Sequence, residues 1–580
     1  MTLSPHARFD PDRDPTAAAD ALDRTPEVAY AAKMLTRRAM LARAGGVGLS
    51  SFTLAGLLAA CGSGNQSNAT SSGSKASGDA PGRGGTLTLA VDGTNGIADP
   101  AFYTTLGDWM AVDCICRGLT FIDFTETDPK PDLAERWEIS DDGRIYRFFL
   151  RKGVKFHDGT TLTSEDVVRS LERQLNPKDP TLPPGGSGPF FTAVGDNVRS
   201  IKGIDDGTVE FRLRVPDALL LAKLSDIGGR VISSTALAKY KKNIGTHLTG
   251  TGPFRLVDAR QGEAMTMEAF DDYKDGRPAI DRLVLQQAQD PSTIVGSLIG
   301  GQISATQFTP YSSLKELSAN DKVHVYDTKR GFDAFVMMDV RRPVLKDIRV
   351  RKAVNLAIDR SAIMQQAFFG VADEPKGYAI PTTQPCHDPS LADLSVQDMA
   401  QAKQLIEQAG AKGKTVWVLA ASDSWHPRAA QIIVQNLKEA GLDARSELVD
   451  PGTYAGRVFN PDDAKHDMMV WERNSFVPDP DNMVGAMANP NQVYGAVVSG
   501  QGTLPNQDRY VDDLIHARNL PNGDERTKAY TEIQRRWADE VMVLAMLAYS
   551  ANPVVSGANV KGMNVEALAN HRCFMEGASV

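Results

Sequence analysis

Apolar and polar residues alternate along some stretches of this chain and recur at helical spacing along others, and the two periods separate strands from helices. Thr86-Leu87-Thr88-Leu89-Ala90-Val91 alternates behind Gly84-Gly85, which predicts the strand that opens the folded body. Trp137 to Ser140, the Asp142-Gly143 pair and Arg144 to Leu150 predict a β-hairpin, because Asp-Gly accepts the positive φ of a tight turn. Asp158-Gly159 predicts a second turn. Thr163-Ser164-Glu165-Asp166 has capping-box spacing, and Val167, Val168, Leu171 and Leu175 supply the apolar face of the helix behind it.

Farther along, Asp347 predicts an N-cap, and Val350, Ala353, Val354, Ala357 and Ile358 form one buried helical stripe. Asp359 starts a second helix that Gly370 stops. Residues 398–450 then predict a helix (Ala402, Leu405, Ile406, Ala409, closed by Gly410), a strand (Val416 to Ala420), a helix (Ile432, Ile433, Leu437, Ala440, closed by Gly441) and a strand (Asp443 to Val449). A strand, a crossover helix and a second strand imply a parallel pair with a right-handed connection, hence an α/β lobe. At 580 residues the chain exceeds what one core organises, which predicts two or three globular units.

The first sixty residues follow neither period. Thr36-Arg37-Arg38-Ala39-Met40-Leu41 precedes a weakly apolar run from Ala44 to Ala60, which ends in Leu58-Ala59-Ala60-Cys61. The run is too rich in Gly and Ser for a membrane span, which needs about 20 mainly apolar residues. Charged, apolar and then small residues are the layout of a signal peptide. The paired Arg37 and Arg38 resemble a twin-arginine export signal, and the ending at Cys61 resembles the lipobox of bacterial lipoproteins, which implies acylation of Cys61 and an extracytoplasmic, lipid-anchored protein. Residues 1–61 are the expected leader, and 62–84, rich in Ser, Gly and Asn, the flexible linker. Without the leader the chain keeps 56 basic and 66 acidic side chains, a balance that speaks against a nucleic-acid partner. Cys114 and Cys116 are too close to be bridged easily, and no disulfide pairing among Cys114, Cys116, Cys386 and Cys573 follows from the sequence.

Leu133-Ala134-Glu135-Arg136-Trp137, continuing through Phe148 to Gly159 and on to Ser164-Glu165-Asp166-Val167, resembles the extracytoplasmic solute-binding protein family 5, which includes the dipeptide-, oligopeptide- and nickel-binding proteins of ABC importers. Gly250-Thr251-Gly252-Pro253-Phe254, the Tyr273 region, Asp347 to Ala353, Ala357-Ile358-Asp359-Arg360, Ala402 to Gly410, Asp479-Pro480-Asp481-Asn482 and Asp524-Glu525-Arg526 follow in that family's order, so the resemblance runs from about residue 84 to 565. It implies an α/β, two-lobed periplasmic-binding-protein-like fold with the ligand in the interlobe cleft. Lobe I is expected at 85–330 plus 546–580, with an inserted subdomain at 113–226, and lobe II at 331–545. Ligand that touches both lobes shifts the population toward closure. The implied partners are a small solute, peptide or peptide-like, ABC permease subunits with their ATPase, and the membrane through the lipid anchor, for a monomer with no cofactor. Alternatives are an extracellular enzyme on a two-lobed scaffold and a sensory, ligand-presenting lipoprotein.

In peptide-binding members an acidic residue shortly before the Asp-Pro element pairs with the ligand ammonium. Here the three positions directly before Pro478 hold no carboxylate, Glu472 sits too early, and Arg473 favours a ligand carboxylate, which points toward a capped, modified or non-peptide solute. The expected ligand-binding residues are Tyr103, Trp471, Arg473, Asn474 and Phe476, with Trp471 offering a stacking surface. Asp479 to Asn482 is expected to be a structural turn. No catalytic residue is assigned. Gly410 to Thr415 lacks the first glycine of a P-loop, position 408 being Gln, and runs from helix into strand, the reverse of a P-loop. No His-Glu-x-x-His pair or Gly-x-Ser-x-Gly elbow occurs, and no metal site is expected. His157 is expected to be structural, and His426 and His466 are read as solvated surface positions, with contact to a metal complex in the cleft as the alternative.

Overall fold

A computed structural model of the chain describes residues 84–580 apart from 103–104, 125–127, 177, 184–196, 289, 329–331, 459–465, 475–478, 489–506 and 551. Arg37, Arg38, Cys61, Tyr103 and Phe476 lie outside the described residues. Among the described residues, no helix is long and apolar enough to cross a membrane.

The predicted opening strand, Thr86–Val91, forms at the centre of a seven-stranded sheet. Its order is Phe254–Arg260, Ala264–Ala269, Arg282–Gln287, Thr86–Val91, Ala305–Thr306, Val555–Gly557 and Val323–Val325. A core of its own covers this sheet, and the helix Leu106–Ile115 lies in it. Cys114 and Ile115, at the expected start of the insert, belong to that core.

The hairpin forms as Ala134–Ile139 against Ile145–Leu150, with Gly143 at φ 69°. With Thr208–Leu213 and Val198–Asp205 it builds a four-stranded antiparallel sheet whose apolar face closes over the helix Ser164–Leu175. Thr163 and Asp166 complete the capping box, the Thr163 amide donating to Asp166 at 2.9 Å. The Gly250 to Phe254 block docks onto the end of Leu106–Ile115. A Cβ at Gly250 would lie 2.2 Å from the Ile115 carbonyl oxygen, so only glycine fits this approach. His157 fills the same junction, its Nε2 3.0 Å from the Gly252 carbonyl.

The second large sheet has the order Asp443–Val449, Thr415–Ala421, Met468–Asn474, Phe332–Met338 and Leu544–Ser550. Thr415–Ala421 and Asp443–Val449 are parallel, joined by the helix His426–Ala440 that ends at Gly441 with φ 108°. The stripe on Ile348–Ala357 is buried at every expected position, under an Asp347 N-cap. Residues 546–550, expected with the first lobe, pair instead with Phe332–Met338 in this second sheet. The physical reason is that Leu544 to Tyr549 is an unbroken apolar run, which needs cover on both faces. The chain thus passes twice between the large sheets, and the two passages run side by side, with the Tyr326 amide donating to the Val554 carbonyl at 3.0 Å.

Candidate functional site

Two parallel strands, one from each large sheet, end in a carboxylate: Thr86–Val91 in Asp92 and Thr415–Ala421 in Asp423. Crevices beyond the carboxyl ends of parallel strands are where open α/β sheets bind ligands. The helix that follows Asp423 begins at His426, with Trp425 as its N-cap, and Glu472 reaches the same place from Met468–Asn474.

Trp425 is held face to face with Phe332, Phe368 and His426, at ring distances of 6.1, 4.9 and 4.1 Å. So fixed, its indole Nε1 donates to Glu472 Oε2 at 2.7 Å. His426 is only 6% exposed, contrary to its expected place on the surface, and its ring stands between two carboxylates. Nδ1 lies 4.0 Å from Asp423 Oδ1 and Nε2 4.0 Å from Glu472 Oε2, and neither nitrogen completes a hydrogen bond. His466 is buried as well, at 5%. Both histidines begin or precede elements that pack into the second core, and that packing overrides the polarity of their neighbours.

Desolvation dominates the electrostatics here. It pushes Asp92 up to about 7, with the Asp423 and Asp108 carboxylates adding to the rise. It pushes Glu472 up to about 7 against the Trp425 hydrogen bond and with help from Asp423, and it raises Asp423 as well. The same burial lowers His426 to about 4, so this ring is neutral at physiological pH. Yet Asp423 keeps 52% and Glu472 30% of their side-chain accessibility. Asp92 is exposed as well, so water reaches all three carboxylates.

Of the residues expected from sequence, Trp471, Arg473 and Asn474 share one strand, Met468–Asn474. Trp471 is half-buried and packs on Tyr454 at 5.2 Å. Arg473 sits directly across from Asp333, whose carboxyl burial pushes up to about 8 and the guanidinium draws down, so this cation has a carboxylate partner within the sheet. Asp479 accepts the Asp481 amide at 2.9 Å and opens the helix Pro480–Ala488, and its carboxylate takes both 2.8 and 2.9 Å bonds from Arg526. Asp92, Asp423 and His426 escaped the sequence reading as a group, although the position of each acid just past a predicted strand is the signal that finds them. Among the described residues no three His, Cys, Asp or Glu side chains are grouped to hold a metal ion.

Comparison with known proteins follows the same lines. The family described as "Bacterial extracellular solute-binding proteins, family 5 Middle" matches residues 128–495. The dipeptide-binding protein of Escherichia coli is 28% identical over 513 residues, covering 84% of this chain and 93% of the relative. Heme-binding protein A of Haemophilus influenzae is 29% identical over 430 residues, 70% of this chain and 77% of the relative. Among solved structures, the ABC transporter-associated periplasmic binding protein DppA of Helicobacter pylori, in complex with the peptide STSA, superposes with a TM-score of 0.76 at 24% identity, over 86% of this chain and 98% of that one.

Proposed function

The chain belongs to family 5 of the bacterial extracellular solute-binding proteins, and from that premise we propose that it captures a peptide or peptide-like solute between its two lobes and hands it to the permease of an ABC importer. The observation that carries this reading is that two parallel strands, one from each large sheet, run out into the carboxylates Asp92 and Asp423, with Asp423 adding to the rise of Asp92. A guest seated there touches both sheets only when they are close, so its binding energy favours the closed arrangement. Micromolar capture needs about −8 kcal/mol net, within reach of an enclosed cleft with a few fixed polar groups.

In this proposal lobe I comprises 85–330 with the insert at 113–226 and the chain after the second passage, and lobe II begins at 331. Trp471, Arg473 and Asn474, with Tyr103 and Phe476, contribute to the cleft alongside Asp92, Asp423, His426 and Glu472. Arg37 and Arg38 direct twin-arginine export, Cys61 carries the lipid, and the mature protein works as a monomer outside the cytoplasm without catalysis of its own.

Native mass spectrometry of the purified protein tests the reading, because a captured solute is released intact on denaturation. The same solute is expected to raise the melting temperature and to shrink the radius of gyration in small-angle scattering. A protein that carries no solute, gains no stability from any of a peptide, glycoside and chelate panel and never contracts would overturn it. Replacing Cys61 with Ala is expected to abolish labelling by a fatty-acid probe.

A further inference from the structure

The insert takes no part in either chain passage between the large sheets, yet it touches the second lobe. Its turn before the helix Leu220–Leu224 meets the last turn of the helix Gln507–Asn519, where the Ala218 amide donates to Asn519 Oδ1 at 3.4 Å. Both sides of this contact are fixed from within. Asn519 is 3% exposed, and its Nδ2 donates to the Ile515 carbonyl at 2.9 Å, which leaves Oδ1 aimed across the boundary. On the insert side the Asp217 carbonyl accepts the Tyr146 hydroxyl at 2.9 Å, and the Asp217 carboxylate accepts the Leu219 amide at 3.0 Å.

Charges of alternating sign continue the contact. In the insert, Lys223 Nζ lies 2.8 Å from Asp217 Oδ2, and in the second lobe Arg518 meets Asp481 Oδ2 at 2.8 and 3.0 Å. Burial works to lower the Arg518 guanidinium, but the Asp481 and Asp217 carboxylates outweigh it and hold the group above its ordinary value. Burial likewise works to raise the Asp217 carboxyl, but Lys223 and Arg518 hold it below the usual carboxylate range. The run Asp481, Arg518, Asp217, Lys223 thus crosses the boundary between its second and third members, with side-chain accessibilities of 9, 22, 5 and 14%. Each lobe completes an ion pair of its own, and the two pairs are set end to end. The lobes therefore attract when close and lose little when they part, since every charge keeps a partner and regains water.

We propose that Ala218 with Asn519, flanked by Asp217 and Arg518, is a polar clasp that holds the insert against the second lobe in the closed state and lets go when the lobes part. This rests on the division into lobes given under the proposed function. It goes beyond contact with the solute, because the clasp biases closure through residues other than those of the cleft. A protein already biased toward closure needs less binding energy from its guest to complete it, so breaking the clasp lowers both the closed population and the affinity for solute.

Hydrogen exchange of the full chain, resolved to single residues by fragmentation in the mass spectrometer, reads the Ala218 amide without any variant. The expected result is exchange at least tenfold slower than in an unstructured chain. Asn519→Ala is expected to abolish that protection, while the amides of Ile145 to Leu150 stay within about twofold of the parent and show that the insert is folded. Asp217→Asn keeps the size of the side chain and removes its charge. It is expected to speed Ala218 exchange at least threefold and, like Asn519→Ala, to enlarge the radius of gyration of the solute-free chain in small-angle scattering. An Ala218 amide that exchanges at the unstructured rate in the parent overturns the inference, and so do exchange and radius that neither variant changes. If the chain still contracts around a member of the peptide, glycoside and chelate panel, the solute-binding reading stands without the clasp. Protection that both variants weaken, in a chain that binds no member of the panel, keeps the clasp and removes the solute-binding reading.

Discussion

The indole nitrogen of Trp425 donates to the Glu472 carboxylate at 2.7 Å, and among the described residues no Lys or Arg stands by to replace that bond. Trp425 is 1% exposed and anchored between Phe332 and Phe368, so the donor is fixed before any ligand arrives. Trp425→Phe keeps an aromatic ring in the stack and removes the donor. A loss of about 0.5–1.5 kcal/mol is expected, the usual net worth of one hydrogen bond, since water reaches part of the Glu472 carboxylate. Urea unfolding midpoints measure it, and the Glu472 carboxyl signal in NMR is expected to titrate at higher pH in the variant.

Arg572 meets Asp113 with two 2.7 Å bonds and reaches Asp226 at 3.0 Å, all but out of contact with water. Arg572→Met strands the Asp113 charge with Arg230 alone. Removing one partner of a buried ionic cluster costs about 3–5 kcal/mol, and denaturant unfolding is expected to show a loss of that size. An unchanged midpoint would mean that Arg230 and water suffice.

Gly250→Ala is expected to destabilise by about 1–3 kcal/mol or more, as overpacking does. The added methyl collides with the backbone of Ile115 and with the Cys116 sulfur at 2.6 Å, and neither can turn aside as a flexible side-chain tip would. Thermal unfolding checks this, and Gly296→Ala, in the helix Pro291–Ile299, serves as a control, since nothing lies within 4 Å of its Cβ position and alanine suits a helix at least as well as glycine.

Acid sensitivity follows from the buried histidines. His571 is lowered to about 3, and His157 and His426 to about 4, in each case chiefly by burial. An unfolded histidine binds its proton near 6.5, so between that pH and each folded value the unfolded state holds more protons and stability falls as pH falls. Asp92 and Glu472, raised to about 7, act with the opposite sign, favouring the folded state as pH drops through 7. Two comparisons separate the contributions. His571→Asn is expected to flatten the decline in melting temperature from pH 6.5 to 4, and Glu472→Gln to gain on the parent above pH 7 and to lose that gain below pH 5.

The elements of this fold were legible where one short segment carried the whole signal. The Asp347 cap with its stripe from Val350 to Ile358, and the pair Thr163 and Asp166, each declare a helix within a few residues of chain. The parallel pair of Thr415–Ala421 and Asp443–Val449 was equally plain, because Gly441 marks the end of the helix between them. The site was harder, since it is made of residues 92, 423, 426 and 472, which share no local pattern. His426 has polar Ser424 and Arg428 near it in sequence, and only its stacking on Trp425 shows that the ring is buried. Nor does any spacing in the sequence announce that Arg473 faces Asp333, which is a matter of register between strands.

The seven-stranded sheet places Val555–Gly557 between Ala305–Thr306 and Val323–Val325, and Tyr326 and Ser556, 230 residues apart, are joined by their hydroxyls. At about 5–20 residues per second on the ribosome, that stretch takes roughly 10–50 s to appear. For this interval the inner edges of two strands stand open, so the nascent chain completes its first half only after it has made nearly all of its second.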